Sequence, residues 1–102
     1  MHVSAKISGE SLYIFLEGEL DEYSARRARQ EVDAAIDAHL ACRSVVLDLS
    51  GIRFMDSSGI GFLIGRYKKL KAVRTPLYLS SPDLAADKVL SVSGIYSLIP
   101  KL

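Results

Sequence analysis

An α/β fold, built on a mixed sheet of four or five strands with helices packed mainly on one face, is what this sequence predicts. Three observations carry the prediction. Val45-Val46-Leu47-Asp48-Leu49 is a β-branched and aliphatic run of the kind needed by a parallel strand buried on both faces. Segments with helical apolar spacing flank it, so strand, helix and strand form a βαβ unit with a right-handed crossover. Ahead of that unit, two short alternating segments separated by Ser8-Gly9-Glu10 read as an antiparallel hairpin.

Each element has its own signal. Val3, Ala5 and Ile7 alternate with polar residues and give a first strand with one buried face. In the second strand Leu12, Ile14 and Leu16 point one way, Tyr13 and Phe15 the other. Gly18-Glu19-Leu20-Asp21 ends that strand, and either Asp21 or Ser24 suits the cap of the next helix. Ala28, Val32, Ala35, Ile36 and Leu40 then keep helical spacing, with Arg26, Arg27, Arg29, Gln30, Asp33 and Asp37 on the other side.

After the central strand, Asp56, Ser57 and Ser58 all offer N-caps to a helix near Ser58 to Lys71. Its apolar face is Ile60, Leu63, Ile64, Tyr67 and Leu70. Gly61 and Gly65 would lie together on it and admit another backbone. Arg66, Lys68, Lys69 and Lys71 fall mainly on the wet face, crowded toward the end where cations suit the helix dipole. Leu77-Tyr78-Leu79 is a further short strand. Ser81-Pro82 reads as a helix start, with Ser as N-cap and Pro in the first helical position. Leu84, Val89 and Leu90 give that helix an apolar side, and Ile95 to Ile99 is a last short apolar element ended by Pro100.

A chain of 102 residues makes a single domain, and 25% charged with 49% hydrophobic residues is ordinary for a globular protein. A net charge of +1 argues against a nucleic-acid partner. The cluster Arg66, Lys68, Lys69, Lys71 and Arg74 reads as a solvated helix face. Cys42 has no second cysteine to pair with, which fits a cytoplasmic location. No run approaches the roughly 20 apolar residues of a membrane span, and no signal-peptide core opens the chain. Enzyme readings find no footing: His2 and His39 form no Ser-His-Asp set, Cys42 lacks metal or redox spacing, and no phosphate loop occurs. Asp48 lacks the acidic pair that a receiver domain would place after its first strand. No cofactor or metal is implied. What remains is a pair of hydroxyls, Ser57 and Ser58, at the positive end of a helix and the mouth of a sheet.

Those residues sit in a wider pattern. Met55-Asp56-Ser57-Ser58-Gly59 followed by Gly65-Arg66-Tyr67-Lys68 resembles the signature of STAS domains, above all the sporulation-type anti-sigma factor antagonists. Gly18-Glu19-Leu20-Asp21 and Ser93-Gly94 extend the likeness over most of the chain. The resemblance implies a STAS-type sheet and a protein-binding switch, not an enzyme. It makes Ser57, the first serine after the aspartate, the phospho-acceptor. It makes Asp56 the residue that holds the loop, by capping Ser58 or Gly59. Glu19, Asp21 and Arg66 become charged docking contacts, Ile60 an apolar one, and Ser58 part of the same surface. The implied partners are an anti-sigma factor with serine kinase activity and a metal-dependent serine phosphatase. The alternative is an unphosphorylated STAS subunit of a transport or signalling complex, which the intact serine motif disfavours. Two departures stand out: the segment Pro82 to Ser93 is slightly longer than usual, and the chain stops at Leu102, where a further helix usually follows. Apolar surface is then expected to be covered by a partner or by a second copy in a homodimer.

Overall fold

The alternating segments at the start of the chain fold as the predicted hairpin, β1 (His2–Ser8) and β2 (Ser11–Leu20), with Ser8 opposite Ser11. The computed structural model describes residues 1–102. After β2 come α1 (Ala25–Asp37), β3 (Ser44–Met55), α2 (Ser57–Ala72), β4 (Leu77–Ser80) and α3 (Leu84–Ser93), then a turn of 3-10 helix at Ile95–Ser97. The four strands lie in the order β1-β2-β3-β4, antiparallel at the first pairing and parallel at the next two. This is the mixed α/β sheet that the sequence predicts.

Period-two alternation decides which face is covered. Leu12 and Ile14 of β2, Val45 and Leu47 of β3, and Leu77 and Leu79 of β4 stand in register and are buried. They meet Ala28, Val32 and Ile36 of α1, Leu63 and Leu70 of α2, and Leu90 of α3 in one continuous core. Each fully buried aliphatic side chain contributes about 1.5–3 kcal/mol before chain entropy is set against it. Tyr13 and Phe15 emerge on the opposite face, their rings 6.5 Å apart.

Four local expectations are corrected. Ala5 and Ile7 are exposed, so β1 does not bury a full face. It is the edge strand, and only Met1 and Val3 at its start pack on the core. Helix α1 ends at Asp37, because His39 N–H turns back to the carbonyl of Ile36, and Leu40 is left 62% exposed. In α3 the cap is Asp83, whose Oδ1 accepts from Ala86 N–H at 2.8 Å, and not Ser81. Ser81 stands outside the helix at φ 56°, and Leu84 is exposed, not core.

The C-terminal segment is tied down. Ile99 is fully buried, and Lys101 bridges Leu79 on the edge of β4. The Tyr96 hydroxyl and the Lys101 ammonium both donate to Asp87 Oδ1, at 2.6 and 2.9 Å. Burial, reinforced by that acceptor, pushes the Tyr96 hydroxyl well above its ordinary range. No helix of the chain is long and apolar enough to cross a membrane.

Candidate functional site

Because β2 and β3 are parallel, their carboxyl ends reach the same edge of the molecule. Glu19 lies beside Phe54 and Leu20 beside Met55, and Asp56 N–H points at the Leu20 carbonyl, 3.4 Å away. Glu19, Asp21, Asp56 and Ser57 are therefore brought to one end of the sheet, as the βαβ geometry predicts.

Asp56 is the N-cap of α2, extended at φ −119°, with Oδ1 accepting from Ser58 N–H at 2.9 Å. Its carbonyl accepts from Gly59 and Ile60 as well. Most donors of the first turn are thus already engaged by Asp56, and the helix dipole is what remains for an added anion. Ser57 is the first residue of the helix and exposed; Ser58, next to it, is half-buried. Of the two serines, Ser57 is the more exposed.

Asp21 organises the neighbouring loop. Its Oδ1 accepts from both Ser24 and Tyr23 N–H at 3.0 Å, and the Ser24 amide above all holds its carboxyl below the usual range. Ser24 occupies the N-cap position of α1 without a side-chain cap; its hydroxyl donates instead to the Glu19 carbonyl at 2.6 Å. Of the two candidate caps, neither caps in the ordinary sense: Asp21 and Ser24 brace each other before the helix starts.

Arg66 is not part of this edge. The expected wet face is corrected here: α2 buries Gly59, Phe62, Leu63, Arg66 and Leu70, an arc turned toward α1 relative to the predicted stripe. The Arg66 side chain is 5% exposed, its Nε is 2.8 Å from Asp33 Oδ1, and its guanidinium lies over the Phe62 ring. It also sits nine residues beyond Ser57, roughly 13 Å of helix rise. Burial lowers its pKa, Asp33 opposes that, and repulsion from Arg29 adds to it. The close backbone approach expected at Gly61 and Gly65 is absent as well, since a Cβ at either would meet nothing within 4 Å.

Several residues around Ser57 escape sequence reading. Ser57 and Ile60 share a groove of about 520 Å³ with Ala85, Lys88, Val89 and Val92 of α3. Val92 is 80% exposed. The available signal is an excess of apolar residues on α3: Leu84, Ala85, Val89 and Val92 add to the buried Ala86 and Leu90, more than one face can hold. On the other flank, Glu19, Asp21 and Ser24 line a cleft with Arg27, Arg53 and the outstanding Tyr23.

With this geometry in place, the comparison with known proteins is decisive. The model of the STAS domain matches residues 2–102. The chain belongs to the STAS domain family. Among curated relatives, an anti-sigma F factor antagonist of Paenibacillus polymyxa is 33% identical over 87% of this chain and 75% of its own. A second, from Lysinibacillus sphaericus, is 35% identical over the same shares. Among solved structures, the anti-sigma factor antagonist SpoIIAA in its unphosphorylated form superposes with a TM-score of 0.78 at 27% identity, over 99% of this STAS domain and 88% of that chain. SpoIIAA has also been solved in a phosphorylated form.

Proposed function

We propose that this STAS domain is an anti-sigma factor antagonist switched by phosphorylation of Ser57. It docks on an anti-sigma factor that carries serine kinase activity, through the edge formed by Glu19, Asp21, Asp56, Ser57, Ser58 and Ile60. The observation that carries the reading is the placement of Ser57: exposed, first in α2, sharing an apolar groove with α3, at the same sheet edge as the cleft of Glu19, Asp21, Arg27 and Arg53. Similarity to antagonists of this name, one of them known in a phosphorylated form, supports it. Arg66 is left out of the docking surface because its guanidinium is committed inside the fold.

The switch follows from electrostatics. The kinase transfers the terminal phosphoryl of ATP to Ser57 Oγ, releasing ADP and the hydroxyl proton; hydrolysis by a serine phosphatase returns the alcohol. The phosphoryl adds about −1.5 to −2 charges to an edge that holds Glu19, Asp21 and Asp56, with Arg27, Arg53 and Lys88 along its flanks. The fold accommodates it at the positive end of α2. A partner closing over the same surface would bury that charge poorly paired, at about 2–5 kcal/mol, which is a loss of affinity from roughly thirtyfold to several-thousandfold.

The test is incubation with ATP and the anti-sigma factor, followed by peptide mapping by mass spectrometry. Phosphate is expected on Ser57, retained in Ser58→Ala and lost in Ser57→Ala. Ser57→Ala should bind persistently, and Ser57→Asp should bind weakly while remaining folded. Phosphate on Ser58, or wild-type affinity for Ser57→Asp, would overturn the assignment.

A further inference from the structure

Helix α2 is 16 residues long, roughly 24 Å of rise, and its far end from Ser57 runs into the loop before β4. There the fold leaves a cleft of about 560 Å³, a size usual for small-molecule sites. It is separate from the groove beside Ser57 and from the groove between α1 and α2 that Gly61 and Gly65 line. Its walls include Tyr67 and Lys71 of α2, Arg74 of the loop, Leu77 and Tyr78 of β4, and Leu98. No carboxylate is among its lining residues.

The positive charge of this cleft is unanswered. No aspartate or glutamate occurs from Ser57 to Pro82. Of the cations in that stretch, Arg66 pairs with Asp33 and Lys69 with Asp37. The other ion pairs of the chain join Arg27 to Glu31, Arg29 to Asp33, Arg43 to Glu10 and Lys101 to Asp87, so Lys71 and Arg74 have no acidic partner. Lys71 Nζ lies 5.7 Å from the centre of the Tyr67 ring, which holds the ammonium at the cleft wall.

Arg74 is kept there against backbone preference. It stands at φ 58°, with its N–H on the Lys71 carbonyl and the Thr75 N–H on the Leu70 carbonyl. This is the Schellman ending of a helix, whose left-handed position is usually glycine. Backbone donors already meet those carbonyls, so a glycine would close α2 as well. What the arginine adds is a second cation on the cleft.

We propose that this cleft binds a small aromatic monocarboxylate. Lys71 and Arg74 take the carboxylate in charge-assisted hydrogen bonds. The ring lies among Tyr67, Tyr78 and Leu98, where aromatic contacts add to apolar burial. The carboxyl end of α2 brings about half a negative charge, which disfavours a dianion and suits a single carboxylate. The site is independent of the Ser57 reading.

The test uses the full chain titrated with 1-naphthoate and followed by NMR of the backbone amides. Saturable shifts are expected at Thr75, Leu77, Tyr78 and Leu98. The neutral 1-naphthalenemethanol and the aliphatic octanoate should each bind roughly tenfold more weakly or worse. Lys71→Met combined with Arg74→Gly should weaken 1-naphthoate by roughly tenfold or more. Arg74→Gly alone should melt at or above the wild-type temperature, because glycine is at ease at that φ. A lowered melting temperature in Arg74→Gly would make the arginine a structural residue and overturn its role here. Equal binding of the alcohol or of octanoate, affinity unchanged in the double variant, shifts that never saturate, or shifts confined to Ile60, Val89 and Val92 would overturn the proposal.

Discussion

The first turn of α2 is packed hard against the sheet, while the middle of the same helix opens toward α1. At Gly59 a Cβ would come within 2.6 Å of Met55 Cγ and 3.2 Å of the Leu20 carbonyl oxygen. Two residues later, at Gly61, and again at Gly65, it would meet nothing within 4 Å. The contrast separates two uses of one residue type. Gly59 lets the helix start close enough to β2 and β3 to bring Ser57 to the same edge as Glu19. Gly61 and Gly65 serve no contact inside the chain. Arg66 directly follows Gly65, yet it is buried like the first region.

A buried charge in the open half of the helix makes Arg66 the most sensitive point of comparison. Asp33→Asn removes the only carboxylate paired with a side chain 5% exposed. Stripping the partner from a buried charge costs about 3–5 kcal/mol, the largest effect expected here, readable as a lowered denaturation midpoint. A stability change within experimental error would show that Arg66 is solvated in its groove and that the burial of the pair is illusory.

The packed region should give the next effect. Gly59→Val places branched carbons against Met55 and the Leu20 backbone, where only the methionine can yield. Overpacking of this kind costs about 1–3 kcal/mol. A domain of this size then loses about 4–8 °C of melting temperature per kcal/mol. If Gly59→Val melts like the wild type, the tight start of α2 is wrong, and with it the alignment of Ser57 on Glu19.

Much of this was legible in the sequence, and the failures share a cause. The strands, the hairpin, the βαβ unit and the edge that gathers Glu19, Asp21, Asp56 and Ser57 follow from alternation, turn residues and one crossover rule, all of them local. Asp56 as cap is local as well, whereas Asp21, expected as a possible cap of α1, braces the loop before it. Arg66 failed because a helix touching both a sheet and another helix buries a wider arc than one apolar stripe shows. Its position between Leu63 and Leu70 was the available hint. The glycine pair failed because spacing reveals which residues share a face and not whether anything stands opposite. Leu40, Leu84 and Ile7 were read as core for being apolar, although exposed apolar residues are common on any protein surface.

The smallest effect expected is also the one with the opposite sign. In Gly61→Ala and Gly65→Ala the new methyl enters free space, so the overpacking term that governs Gly59 is absent. What is left is backbone propensity. Alanine restricts the unfolded chain more than glycine does and is the better helix former, by about 1 kcal/mol at an interior position. Each variant should therefore raise the denaturation midpoint slightly, and the two together should be close to additive unless the methyls interact across one helical turn. The sign is the informative part. Stabilisation by alanine at both positions, set beside destabilisation at Gly59, would show that the open glycines are held against the interest of the fold. Destabilisation at Gly61 or Gly65 would mean that α1 stands closer to α2 than the groove implies.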